Sequence, residues 1–241
     1  MKVYWLEQKE ADVPGTNEWL SANEVLYLSS MRVAKRRTDW RLGRWTAKCA
    51  LSVYLEVPAN LQVFKKMDIR PAPSGAPEAF FDNQPAAVTI SLSHRSGVAI
   101  CAVAKSGVAM GCDLEMVEPR SAAFVADYFT VEEQTLVARA SAADRTSLLA
   151  LLWSAKESAL KALHEGLRLD TRSVMVNPRA ASFDLNGWSP MSVSYTGGQV
   201  FQGWWQRAGN VVRTVVADPP PDSPIPFKIP AHFRDKASRC A

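Results

Sequence analysis

Residues 107–120 read GVAMGCDLEMVEPR, and two acids stand where an apolar run stops. Val108, Ala109, Met110 and Cys112 have the composition of a buried strand. Residues two apart on a strand point to one face, so Asp113 and Glu115 converge. Like charges side by side require solvent or a cation. Taken alone, the pair fits a solvated strand end or one side of a seat for Mg²⁺. The stretch also divides the chain. A first half runs over 1–115, a second over 116–217, and a proline-rich tail over 218–241.

On the N-terminal side, a strand is expected at 3–6 (VYWL) and helices at 17–29 and 31–56, with Pro58 ending the second. From Arg32 to Lys48 that second helix holds seven cations, Arg32, Lys35, Arg36, Arg37, Arg41, Arg44 and Lys48, against one acid, Asp39. Arg37, Arg41, Arg44 and Lys48 recur at helical spacing and so are predicted to share a face. Residues 70–87 read as a proline-rich loop. VTISLSH (88–94) and GVAICAVAK (97–105) read as a hairpin, with 107–115 as a third neighbouring strand. On the C-terminal side, SAAFVADYF is helical, TVEEQTLVARA opens with Thr130 and Glu133 as a capping box, and 144–164 is a long helix stopped at Gly166. Four strand signals follow: SVMV, MSVSYTG, VFQGWWQ and VVRTVVA. Helices followed by antiparallel strands in each half imply an α+β protein of two similar lobes.

Composition narrows the function classes. The chain has 241 residues, 47% hydrophobic and 22% charged, with net charge +4. There is no long uncharged apolar run for a membrane span and no apolar leader after the acidic start MKVYWLEQKEADVPG. Cys49, Cys101, Cys112 and Cys240 form no CxxC pair, which favours reduced thiols in the cytoplasm. Local basicity on a near-neutral chain points to a phosphate-bearing ligand or an acidic partner.

Two further stretches carry chemistry. In WSAKESALKALHEGLRL (153–169), Glu157 and Lys161 stand at i and i+4 on one helix face. The pairing alone is an ordinary helix ion pair. On a helix fixed by Trp153 and Leu160, it also suits a third metal carboxylate and a cation aimed at phosphate. In SLSHRSG (91–97), Ser93 and His94 end a strand before a tight turn, as a cap or as phosphate contacts. No nucleophile elbow, Walker A loop, GxGxxG or HExxH is present.

GCDLE, followed by WSAKESALKAL and preceded by SLSH and KRRTDWRLGRWTAK, resembles the 4′-phosphopantetheinyl transferases, in particular their long, monomeric, surfactin-synthetase-activating class. The resemblance covers about residues 30–170. It implies an α+β fold of two pseudo-symmetric lobes with the active site in the cleft between them. It implies transfer of the phosphopantetheine arm of coenzyme A to a serine of an acyl, peptidyl or aryl carrier protein, as in holo-carrier synthases, releasing 3′,5′-adenosine bisphosphate. By the same resemblance, Asp113, Glu115 and Glu157 hold Mg²⁺, and Glu157 is the base. Lys161 stabilises the leaving group. Arg37, Arg44, Lys48, Ser93, His94, Lys156 and Lys161 contact coenzyme A, with Arg70 as a further basic contact. The family's Gly-Lys-Pro is Gly75, Ala76 and Pro77 here, so that lysine contact is missing. Acidic helical carriers become the expected partners, with no nucleic acid and no membrane, and a cytoplasmic monomer is expected. The carrier's pathway, fatty-acid or secondary-metabolic, stays open. The competing reading is a non-catalytic basic module that docks acidic proteins or nucleic acid.

Overall fold

Two long helices organise the chain, each laid across its own antiparallel strands. The computed structural model describes residues 1–179 and 187–228 and is a mixed α+β protein. It divides into two units: Tyr4–Gly107 with the segment from Ile225, and Met1–Val3 with Val108–Pro224.

The first unit runs β1 (Tyr4–Lys9), α1 (Ala22–Ser30), α2 (Ala34–Tyr54), α3 (Leu61–Lys66), β2 (Met67–Pro71), β3 (Pro77–Phe81), β4 (Gln84–Pro85), β5 (Val88–Arg95) and β6 (Val98–Lys105). A last short strand, numbered β12 (Ile225–Pro226), closes it. Ser21 caps α1 in a capping box with Glu24, so the helix starts at Ala22 and not at 17. α2 buries Leu42, Trp45, Cys49 and Leu51 against β1, β5 and β6. Trp45 meets the edges of Trp19 at 5.2 Å and Phe64 at 5.3 Å, the aromatic centre of this core. β5 and β6 form the expected hairpin, turned by Ser96 and Gly97, both in the left-handed region that such two-residue turns need.

The second unit runs β7 (Ala109–Met116), α4 (Ala122–Tyr128), α5 (Val131–Arg139), α6 (Ala142–Ala162), β8 (Val174–Pro178), β9 (Ser189–Tyr195), β10 (Val200–Ala208) and β11 (Val211–Asp218). Its sheet order is β7-β11-β10-β9-β8. The first unit repeats this order: β1-β6-β5 in one sheet, β3 lying beside β5, and β3 pairing with β2.

Several expectations need correction. β7 does not join the β5–β6 hairpin; it pairs with β11, and the face it turns to α6 carries Gly111 and Asp113. The 70–87 loop contains β3 and β4, whose Ala79 is buried despite the prolines around them. α6 ends at Ala162, and His164 takes the left-handed position that closes it, with the Glu165 amide donating to the Leu160 carbonyl and Gly166 left-handed two residues on. The tail is ordered at its start: β12 runs parallel to β1, and Phe227 stacks on Tyr4 at 5.2 Å. Its remainder, residues 229–241, lies outside the described residues, as does Cys240. Among the described residues no helix is long and apolar enough to cross a membrane.

Candidate active site

β7 and α6 touch closely enough to exclude a side chain. A Cβ on Gly111 would stand 1.8 Å from the Ser158 carbonyl oxygen, so the backbones can meet only at glycine. On the same helix face, the Ser154 and Ser158 hydroxyls lie 2.8 and 2.7 Å from the Thr214 hydroxyl, all buried. Thr214 is the register partner of Asp113 across β11 and β7. Three small hydroxyls and one glycine thus fix how α6 rotates over the strand that carries the acids.

The charges follow from that rotation. Lys161 Nζ donates to Asp113 Oδ1 at 2.8 Å and to the Cys112 carbonyl at 3.0 Å. Burial opposes its charge, but the Asp113 carboxylate, with Glu157 behind it, more than offsets that and raises its pKa. Glu115 accepts from Arg120 at 2.9 Å, and Arg120 also reaches Glu118 at 3.4 Å and covers the Phe124 ring. Glu157 is the exceptional group. Burial first, then the negative charges of Asp113 and Glu115, push its carboxyl up to about 7, and Lys161 only partly counters them. A carboxyl poised there can take a proton at neutral pH.

Three acids gathered around one ion are not what the described geometry holds. Among the described residues no group of three acidic, histidine or cysteine side chains stands close enough to hold a metal. Lys161 engages Asp113 and Arg120 engages Glu115, so each strand carboxylate has its own cation. The donor set still suits Mg²⁺ in kind, since every candidate ligand is a hard carboxylate oxygen. Glu157, raised first by burial and then by Asp113 and Glu115, is the acid whose charge a cation there would relieve.

The other expected residues fall into two groups. Lys156 is fully buried, paired with Glu133 at 2.8 Å and donating to the Thr171 and Val174 carbonyls. Lys48 is fully buried too, paired with Glu24 and donating to the Trp19 and Phe64 carbonyls. Burial holds both ammonium groups below their ordinary pKa, though Glu133 and Glu24 oppose it. Both were expected at phosphates; both are committed to the interior instead. Nor do the four α2 cations share a free face. Arg41 donates to the carbonyls of Pro14, Gly15 and Thr16, while Arg37 is exposed beside the Met31 carbonyl.

His94 of β5 stands against Gly43, the residue before Arg44 on α2. His94 Cδ2 lies 4.0 Å from where a Cβ of Gly43 would be. The Arg44 guanidinium covers the Trp40 ring at 4.8 Å, and its Nε stands 3.9 Å from Glu24. Burial lowers its pKa, with Glu24 opposing. Ser93 adjoins His94 on β5, so its side chain leaves the opposite face of the strand. Arg70 is bound to Asp68 and Asn83 and lies over Phe80.

Sequence reasoning missed Arg120, Ser154, Ser158 and Thr214. The serines at i and i+4 in WSAKES are the one local signal, since two small polar residues recur on a face of an apolar helix.

A search of curated proteins finds no match to this chain. Residues 109–216, which span β7 through β11 and contain Asp113, Glu115, Glu157 and Lys161, match the model of the 4′-phosphopantetheinyl transferase superfamily (ACPS).

Proposed function

We propose that the protein is a phosphopantetheinyl transferase, of the surfactin-synthetase-activating type, that loads a serine of an acyl, peptidyl or aryl carrier protein from coenzyme A. The observation that carries the reading is the meeting of Asp113, Glu157 and Lys161 on β7 and α6, inside the segment that matches the superfamily. The carrier serine oxygen forms a bond to the phosphorus that bears pantetheine. The bond from that phosphorus to the bridging oxygen breaks, and 3′,5′-adenosine bisphosphate leaves. Glu157, poised near neutrality, takes the serine proton. Lys161, kept charged by Asp113, faces the charge that grows on the leaving group.

Once released from Lys161 and Arg120, Asp113 and Glu115 would hold Mg²⁺ together with Glu157. The ion supplies charge neutralisation at the diphosphate. Arg44 and His94 are the residues of the first unit best suited to the donor's phosphates, with Arg37 and Ser93 as further contacts. Lys48 and Lys156 drop out of that set, being buried in ion pairs. Acidic helical carriers suit the exposed cations Arg32, Lys35, Arg36 and Arg37. A cytoplasmic monomer completes the reading, in keeping with the buried reduced thiols of Cys49, Cys101 and Cys112.

The test is transfer itself. Purified protein, coenzyme A, Mg²⁺ and a panel of apo-carriers should give one added phosphopantetheine per carrier by intact mass, and chelation with EDTA should stop it. No gain on carriers of several types, or full activity after chelation, would overturn the reading. A basic binding module would instead bind carriers or nucleic acid in a salt-sensitive way that ignores Glu157.

A further inference from the structure

The two units repeat more than their strand order. In each, a short helix opens with a capping box, Ser21 with Glu24 on α1 and Thr130 with Glu133 on α5. In each, the box glutamate pairs with a fully buried lysine of the long helix, Lys48 or Lys156. Its second oxygen accepts a strand amide, Ile69 on β2 or Val176 on β8. Each lysine donates to two carbonyls, Trp19 and Phe64 or Thr171 and Val174. One device, built twice, joins a capping helix, a long helix and an edge strand through a buried ion pair.

The matched registers show what surrounds each copy. Val98 opposes Lys9 and Val211 opposes Met116, so Leu6 and Gln8 occupy the places of Asp113 and Glu115. Counting along the helices from the paired lysines, Cys49 and Val53 occupy the places of Glu157 and Lys161. The first unit keeps the device and lacks the reactive set. There its glutamate stands 3.9 Å from Arg44 instead. A buried ion pair is seldom worth its desolvation for stability alone, and its best use is to specify one geometry.

We propose that Glu133 and Lys156 are positioning residues of the transfer reaction. By tying α6 to α5 and β8 at the residue before Glu157, the pair joins Gly111 and the three hydroxyls in setting the rotation that presents Glu157 and Lys161 to Asp113. Its twin, Glu24 with Lys48, sets Arg44 in the same way. The two copies therefore serve different halves of one reaction: Glu133 and Lys156 govern turnover, and Glu24 governs donor affinity. This inference rests on the transferase reading above.

The test must separate positioning from folding. Breaking one partner strands a buried charge and risks unfolding, so both are neutralised together. Glu133→Gln with Lys156→Met retains an amide that can serve the capping box and a side chain of lysine's length. Circular dichroism should show it folded. Its kcat should then fall at least about tenfold, since small misplacements of reacting groups are costly. KM for coenzyme A should stay within about twofold, and Glu24→Gln with Lys48→Met should give the reverse split, a raised KM with kcat nearly kept. The single Lys156→Arg, which keeps the charge, should retain more turnover than the double variant. On the same samples, hydrogen exchange of the peptide over 153–162 should be faster in the double variant. A folded double variant with wild-type kcat overturns the proposal, and so does equal loss of kcat in the two units' variants. Should the wild-type protein transfer nothing, the transferase reading falls. Exchange then decides the positioning claim alone: unchanged protection refutes it.

Discussion

At the scale of single residues, Glu157 is the group whose behaviour is most exposed to test. Its folded carboxyl sits near 7 against an ordinary 4.5. A carboxyl raised by folding binds a proton more tightly in the native state. Its contribution to stability is therefore full below pH 4.5 and is lost as pH rises to about 7. Glu157→Gln removes this penalty. Without Mg²⁺, the variant should melt higher than wild type at pH 8, by up to about 3 kcal/mol, and the gap should close near pH 5. Calorimetric melts at the two pH values check this; parallel curves would show that the carboxyl is not raised. The placements of Asp113, Glu115, Glu157 and Lys161 are legible in the sequence because i, i+2 and i, i+4 spacings fix faces on regular elements. Those of Lys48 and Lys156 are not. A lysine on a helix reads the same whether it meets solvent or a buried glutamate, and that glutamate sits on a different helix.

At the scale of elements, the contact between β7 and α6 decides whether the acids meet Lys161. Gly111→Ala forces a methyl into the Ser158 carbonyl and should shift the helix or unfold the unit. We expect a loss of about 2 kcal/mol or more in urea melts, with transfer reduced further than stability explains. An alanine variant with wild-type melting and turnover would remove the close approach from the account. Thr214→Val leaves the Ser154 and Ser158 hydroxyls facing a methyl and should cost about 1–3 kcal/mol, measured the same way. The helices and the β5–β6 hairpin are readable from period and turn chemistry. The partner of β7 is not, because a buried strand's apolar run says nothing about which edge it joins, and β11 follows about a hundred residues later. Prolines also mislead over 70–87, where β3 and β4 tolerate them at strand ends.

At the scale of the whole molecule, the chain is one scaffold made twice. Both units carry the same strand order and the same buried Glu–Lys device, yet only the second places acids at the positions of Asp113, Glu115 and Glu157. The repeat is hard to see in the sequence because it is preserved in topology and in a few scattered residues, not as identity along the chain. The central claim is electrostatic: Asp113 and Glu157 create an excess of negative charge that a divalent ion and the donor's diphosphate complete together. Titration calorimetry of coenzyme A tests it most directly. Wild-type protein should bind coenzyme A about tenfold more tightly with Mg²⁺ than with EDTA, a difference of about 1.4 kcal/mol. Asp113→Asn and Glu157→Gln should each abolish that difference while remaining folded. Equal affinity with and without Mg²⁺ in the wild type, or a Mg²⁺ effect that survives both substitutions, would contradict the account.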